Sequence, residues 1–196
     1  MASKAVIKKA YAFVHDLRPL KDNPRYTNNP FVKKGDVVGS HTWRTETFPI
    51  ILHEQFKDDG VNPLRVLELL NIHDWVELES KEIKALGFRD RDAKAKHEEK
   101  VLKKLLVKFP NKDGEHVASL LSEMHEQKTT ESRVAKALEN LESNMHVIEE
   151  VKPILDPEHR QRTIDYIERR LGICKTVDVL IAIQLAEIDK IVEENS

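Results

Sequence analysis

Apolar side chains recur at three- and four-residue intervals along most of the chain, and stretches of strict alternation are absent. Val6, Ala10, Phe13, Val14 and Leu17 share one helical face, which predicts a first helix over 3–17. Residues 18–39 contain Pro19, Pro24, Pro30, Gly35 and Gly39 and read as an ordered loop. Ser40 is placed to cap a helix over 41–56, with Pro49 expected to kink or break it. Asp58-Asp59-Gly60 closes that unit. Asn62 then caps a helix whose first residue is Pro63. Its apolar face runs through Leu64, Val66, Leu67, Leu69, Leu70 and Ile72, and the helix is expected to carry His73 and Asp74 and to end near Ser80. Further helices are predicted over 90–109, 114–126, 130–151, 157–171 (stopped by Gly172) and 175–193. The expected fold class is all-α, one domain of eight or nine helices spanning 1–196.

Composition sharpens this picture. The chain has 196 residues, 34% charged and 40% hydrophobic, with a formal net charge of −2. This suits a globular fold and supplies no basic excess for a nucleic-acid polymer. Cys174 is the single cysteine, so no internal disulfide can form. No window approaches the roughly 20 apolar residues of a membrane span, and the start Met1-Ala2-Ser3-Lys4 lacks a signal-peptide apolar run; a cytoplasmic protein is expected. The helices after Pro157 carry Ile164, Ile167, Leu171, Val177, Leu180, Ile181, Ile183, Leu185 and Ile188. This surface either completes the core or forms a homodimer seam.

Three features carry candidate chemistry. His73 and Asp74 are adjacent at the end of an apolar helix, and imidazole and carboxylate both ligate divalent ions. His41 opens the preceding helix and would face His73 if the two helices pack antiparallel. Glu77 lies four residues after His73, one helical turn on, where a carboxylate could orient or deprotonate a water. Each has a structural alternative, since a His-Asp pair is common by chance and Glu77 sits near Glu79 and Glu82 in an acidic patch. Trp43 and Trp75 read as core residues, Cys174 as a small buried apolar residue, and Arg44 as a salt-bridge partner. Lys94 and Lys96 read as a solvated face that could reach a phosphate.

Together, His41 and Ile72-His73-Asp74-Trp75-Val76-Glu77 resemble the HD-domain metal-dependent phosphohydrolases, and more narrowly their small 5′-deoxynucleotidase branch. The likeness extends to Leu20-Lys21-Asp22-Asn23-Pro24-Arg25-Tyr26, Val38-Gly39-Ser40-His41-Thr42-Trp43-Arg44, Lys96-His97-Glu98-Glu99, and the stretch from Glu123 to Glu142. It covers about residues 5–150. It implies one divalent ion (Mn, Co, Fe, Ni, Zn or Mg) held by His41, His73, Asp74 and Glu139, and a nucleotide substrate. It also implies Arg25 as phosphate clamp, Tyr26 near the sugar or base, Glu77 at the water and Glu82 at the leaving group. The expected reaction is hydrolysis of a (deoxy)nucleoside 5′-monophosphate. A triphosphohydrolase, or a catalytically weak nucleotide- or metal-binding protein, are the alternatives. The chain departs from the family's pattern twice. Glu139 stands where that pattern has an aspartate, with Glu142 and His146 as nearby alternatives. Glu82 stands where it has the aspartate of a Gly-Asp pair.

Overall fold

The computed structural model describes residues 4–26, 36–79, 100–101, 103–104, 107 and 111–196. Among these residues there are nine α-helices and no strand, so the all-α expectation holds. The elements are α1 (Lys4–Asp16), a 3₁₀ turn (Arg18–Lys21), α2 (Val38–Ile51), α3 (His53–Asp58), α4 (Pro63–Ile72), a second 3₁₀ turn (Trp75–Glu79), α5 (Asn111–Glu126), α6 (Thr130–Glu149), α7 (Lys152–Leu155), α8 (Pro157–Glu168) and α9 (Lys175–Glu194). Most of the helix expected over 90–109 lies outside the described residues, as do Glu82, Lys94 and Lys96.

The long helix α6 is the hub. It packs against α4, α2, α5, α8 and α9. Val134, Ala135, Ala137, Leu138 and Leu141 of α6 meet Val66, Leu69 and Leu70 of α4 in one core, which Phe56, Ile167, Val177 and Ile181 extend. Each fully buried Leu or Ile contributes about 1.5–3 kcal/mol by leaving water, so α4 is firmly anchored up to its last turn. Val177 and Ile181 of α9 close the core, Ile188 packs in a second cluster with Val147, Ile148 and Ile154, and Val179 and Ile183 on the same helix stay exposed. No helix among the described residues is long and apolar enough to cross a membrane.

Local chemistry explains the boundaries. Asn62 caps α4, its Oδ1 accepting from the backbone N–H of Leu64 (3.1 Å) and Arg65 (3.3 Å). Thr129 caps α6 through Ser132 N–H at 3.1 Å. Gly172 ends the α8 unit at φ +80°, a left-handed conformation that favours glycine. The start of α2 differs from expectation: the helix begins at Val38, and Ser40 is its third residue rather than its cap. Val37 is the cap residue, and its N–H donates to the Asp36 carboxylate at 2.9 Å and to Ser40 Oγ at 3.4 Å, while Asp36 also accepts the Ser40 hydroxyl. Gly39 permits a close approach there, since an added Cβ would lie 3.3 Å from the Lys21 Cα of the first 3₁₀ turn. The break expected around Pro49 falls three residues later, at Leu52, where α3 takes over.

A further difference bears on the site. The α4 helix ends at Ile72, not near Ser80, and a 3₁₀ turn follows. With about three residues per turn, positions three apart eclipse, so Glu77 overlies Asp74 rather than His73. Its N–H donates to the Asp74 carbonyl at 2.9 Å. Trp75 packs on Phe13 (centroids 4.9 Å apart), as expected of a core residue. Trp43 does not: it is 70% exposed, because buried His41 two positions earlier points about 200° away around the helix. Cys174 is half-buried at the start of α9 rather than enclosed.

Candidate metal centre and adjoining cleft

The starts of α2 and the end of α4 bring His41, His73 and Asp74 together. His41 Nε2 and His73 Nε2 are 3.2 Å apart. Asp74 Oδ2 lies 3.1 Å from His73 Nε2 and 4.0 Å from His41 Nε2. These three groups meet the spacing needed to hold one ion. Metal–ligand bonds of about 2.0–2.2 Å place neighbouring donor atoms about 3.0–3.5 Å apart, close to what is found.

The chemistry of the rings fits an ion as well as the spacing does. His73 Nδ1 is directed at the Leu70 carbonyl, in the last turn of α4. His41 Nδ1 is held by the Glu142 carboxylate. Each imidazole spends its Nδ1–H on an acceptor and turns Nε2 toward the same point. Two bare Nε2 lone pairs at that separation repel unless a proton or a cation lies between them. Burial works to lower the His73 pKa, but the Asp74 charge and hydrogen bond, then the Glu139 charge, outweigh it and push it up to about 9. Burial likewise works to raise Asp74, and the charge and hydrogen bond of His73, with help from His41 and Arg25, bring it down to about 2. His73 and Asp74 thus favour opposite charges, and a cation at this point would compete with the proton on His73.

Glu139, expected as the fourth ligand, stands beside the trio but outside the set of converging atoms. Its carboxylate is bound by Lys136 Nζ at 2.7 and 2.5 Å, one turn earlier on α6. Burial opposes its ionisation, yet Lys136 and then His73 hold its pKa below the ordinary value. Glu142, named above only as an alternative ligand, faces the other side of His41. A second group of Asp36, His41 and Glu142 also comes within ligating distance. Two guanidiniums already neutralise it: Arg25 Nη1 lies 3.5 Å from Asp36 and 3.4 Å from Glu142, and Arg44 Nε lies 3.3 Å from Glu142. That group is a salt-bridge network, and Arg44 also forks onto Glu149 at 2.6 and 3.2 Å.

Beside the trio lies a cleft of about 510 Å³. Glu77 and Glu139 in its lining connect it to the trio, the first eclipsing Asp74 and the second acting on His73 through its charge. Arg25 and Tyr26 line one wall. Asn23 Nδ2 donates to Glu77 Oε2 at 2.9 Å, tying the first loop to the 3₁₀ turn. Arg25 Nη2 donates to Ser143 Oγ at 2.8 Å, and the backbone of this loop pairs with the start of α2 (Arg25 N–H to Asp36 O, Val38 N–H to Asn23 O). Tyr26 holds a left-handed φ of +53°, uncommon for an aromatic residue. It is kept there by its hydroxyl on the Ser143 carbonyl (3.1 Å) and by stacking on His146 with centroids 5.2 Å apart. Burial raises its pKa. One face of the Tyr26 ring is therefore taken by His146.

The opposite wall comes from α8 and was not anticipated. His159, Arg162, Thr163 and Tyr166 line it, and α8 is docked on α6 by Asn144 Nδ2 donating to the Thr163 carbonyl at 3.1 Å. The spacing 159, 162, 163, 166 marks one helical face in the sequence, which was the available signal.

Among curated proteins no relative matches. Of solved structures, a predicted metal-dependent phosphohydrolase from Magnetospirillum magnetotacticum MS-1 shares 23% identity, with 98% of each chain covered and a TM-score of 0.73. A conserved hypothetical protein from Pyrococcus furiosus shares 19% identity over 92% of this chain and 98% of that one, with a TM-score of 0.59. Both likenesses concern the fold. The sequence pattern that defines the HD domain matches residues 17–169, which include His41, His73, Asp74 and every wall of the cleft: the chain belongs to the HD-domain family.

Proposed function

We propose that the protein is a divalent-metal-dependent phosphohydrolase acting on nucleotides, cleaving a (deoxy)nucleoside 5′-monophosphate to nucleoside and phosphate. The observation that carries this reading is the convergence of His41 Nε2, His73 Nε2 and Asp74 Oδ2 next to a cleft that also holds Glu77 and Arg25. Support also comes from the M. magnetotacticum protein, a predicted metal-dependent phosphohydrolase whose fold this chain shares.

His41, His73 and Asp74 would hold the ion, with Glu139 as the fourth group once its carboxylate is shared with or released by Lys136. When bound, the ion supplies Lewis-acid polarisation of a phosphoryl oxygen and acidifies a water. Its imidazole and carboxylate donors suit Mn, Co, Fe, Ni, Zn or Mg. Glu77, aimed by Asn23, orients the attacking water and accepts its proton as oxygen bonds to phosphorus and the bond to the leaving oxygen breaks. Arg25 faces the equatorial oxygens from the cleft wall and stabilises the growing charge, a role that suits a guanidinium already fixed by Asp36, Glu142 and Ser143. The nucleoside lies between Tyr26 and Val147 on one side and Tyr166 on the other, with Asn144 and Thr163 available for polar contacts. A volume of about 510 Å³ is in the range of pockets for ligands of that size.

One observation favours a second reading. Arg162 brings a guanidinium to the cleft wall, in an ion pair with Glu158 that a substrate bearing more than one phosphate would compete for. A screen of deoxy- and ribonucleoside mono- and triphosphates with several divalent ions separates the two, with phosphate and triphosphate release as the readouts. His73→Ala and Glu77→Ala are expected to abolish turnover. An ion bound with no turnover on any nucleotide would overturn the enzymatic reading, and parent-like turnover by His73→Ala would overturn the site.

A further inference from the structure

The Glu142 side chain is fully buried on α6, and its two oxygens serve three cationic or ring partners from two other elements. Oε2 bonds His41 Nδ1 and lies 3.4 Å from Arg25 Nη1. Oε1 lies 3.3 Å from Arg44 Nε. A carboxylate with no exposed surface is costly to keep charged unless its lone pairs are met and its charge is balanced. Two flanking guanidiniums balance it here. The surplus contact, the one to His41, does something else. It fixes the ring's rotation and places the proton on Nδ1, so that Nε2 is presented bare toward His73 and Asp74. The same carboxylate, with Asp36 and Ser143, fixes the guanidinium that lines the cleft.

We infer that Glu142 is a positioning residue that couples the two halves of the site, setting both His41 Nε2 at the metal position and Arg25 at the cleft wall from one buried carboxylate. The inference rests on the reading above of His41 as a ligand and Arg25 as an anion contact. Both groups reach Glu142 from outside its own helix: His41 from the start of α2 and Arg25 from the preceding loop. Arg44, one turn after His41 on α2, lies 3.3 Å from the other oxygen as an ion pair and balances the carboxylate's charge.

The test uses Mn²⁺ titrated into the full chain by calorimetry, inorganic phosphate binding as a second titration, and thermal melting as a control for folding. Glu142→Gln removes the charge while keeping the shape. Glu142→Asp keeps the charge between the two arginines but withdraws it from His41. Both are expected to weaken Mn²⁺ by about 10- to 100-fold, as loss of an outer hydrogen bond to a metal-binding histidine does, with one ion per chain. Glu142→Gln, which also releases Arg25, should weaken phosphate as well, and Glu142→Asp should weaken it less. Placed in a His41→Ala background, either change should alter the residual Mn²⁺ affinity little, because the effect passes through His41. A structural role alone would lower the melting temperature and weaken Mn²⁺ equally in both backgrounds, which overturns the inference. Parent-like Mn²⁺ affinity in Glu142→Asp would also overturn it, as would two ions per chain with one lost on changing Glu142. If the parent binds Mn²⁺ no better than His41→Ala, both this inference and the proposed function fail.

Discussion

An ion that takes His73 Nε2 must first displace a proton held there with a pKa of about 9. At pH 7 that is two pH units of competition. About 99% of the free chain carries the proton, and the apparent affinity is reduced about 100-fold, or about 2.7 kcal/mol, relative to the deprotonated site. His73 is buried, so solvent does not screen its partner Asp74 away. The perturbation to apply is pH. Affinity for Mn²⁺ or Zn²⁺ should rise about tenfold for each unit between pH 6.5 and 8.5 and level off as pH passes about 9. Calorimetric titration in two buffers of different ionisation enthalpy reads the proton count directly. It should return about one proton released per ion at pH 7. With an ordinary histidine pKa of 6.5 the release at pH 7 would be only about a quarter of a proton, and affinity would flatten above neutrality. A flat affinity between pH 7 and 8.5, with release near a quarter, would refute the claim that Asp74 holds His73 protonated in the free chain.

Three further outcomes follow from the same contacts. Without metal, stability should depend on pH in a set direction. The raised pKa of His73 contributes stability that is complete below about 6.5 and lost as pH rises through about 9; the lowered pKa of Asp74 contributes stability present above 3.8 and lost as pH falls through about 2. Denaturant melts in chelator should show a plateau between those limits, and rising stability from pH 7 to 9 would contradict it. Asn62→Ala should cost about 1 kcal/mol in the same assay by removing the α4 cap, and an unchanged midpoint would show the cap to be idle. Lys136→Met strips Glu139 of its neutralising partner and should tighten Mn²⁺ binding by about tenfold, about 1.4 kcal/mol; weaker binding would remove Glu139 from the ion's surroundings.

Legibility in the sequence followed the range of the interactions. Asn62-Pro63 announces its helix because cap and first turn are adjacent in the chain, and the structure keeps both. The convergence of His41 with His73 and Asp74 was readable from a dipeptide, a short turn and a family resemblance. The 3₁₀ turn after Ile72 was not, since Trp75–Glu79 contains neither Gly nor Pro, and it moved Glu77 from the His73 face to the Asp74 face. The start of α2 at Val38 was not readable either, since its cap residue Val37 has no side-chain acceptor and Ser40 three residues later offers one. The exposure of Trp43 follows from the burial of His41 two positions away, a helical-wheel argument that favouring aromatic burial overrode. Glu142 bonding His41 spans 101 residues of sequence and Arg25 bonding Ser143 spans 118, separations over which no local pattern operates. The α8 wall was missed because the resemblance stopped near residue 150, before His159, Arg162 and Tyr166.

The central claim is that His41, His73 and Asp74 hold one divalent ion. Anomalous diffraction from a crystal loaded with Mn²⁺ or Zn²⁺ tests it most directly. A single strong peak is expected about 2.0–2.2 Å from His41 Nε2, His73 Nε2 and an Asp74 oxygen. A peak among Asp36, the Nδ1 side of His41 and Glu142, or none within bonding distance of both histidines, would contradict it.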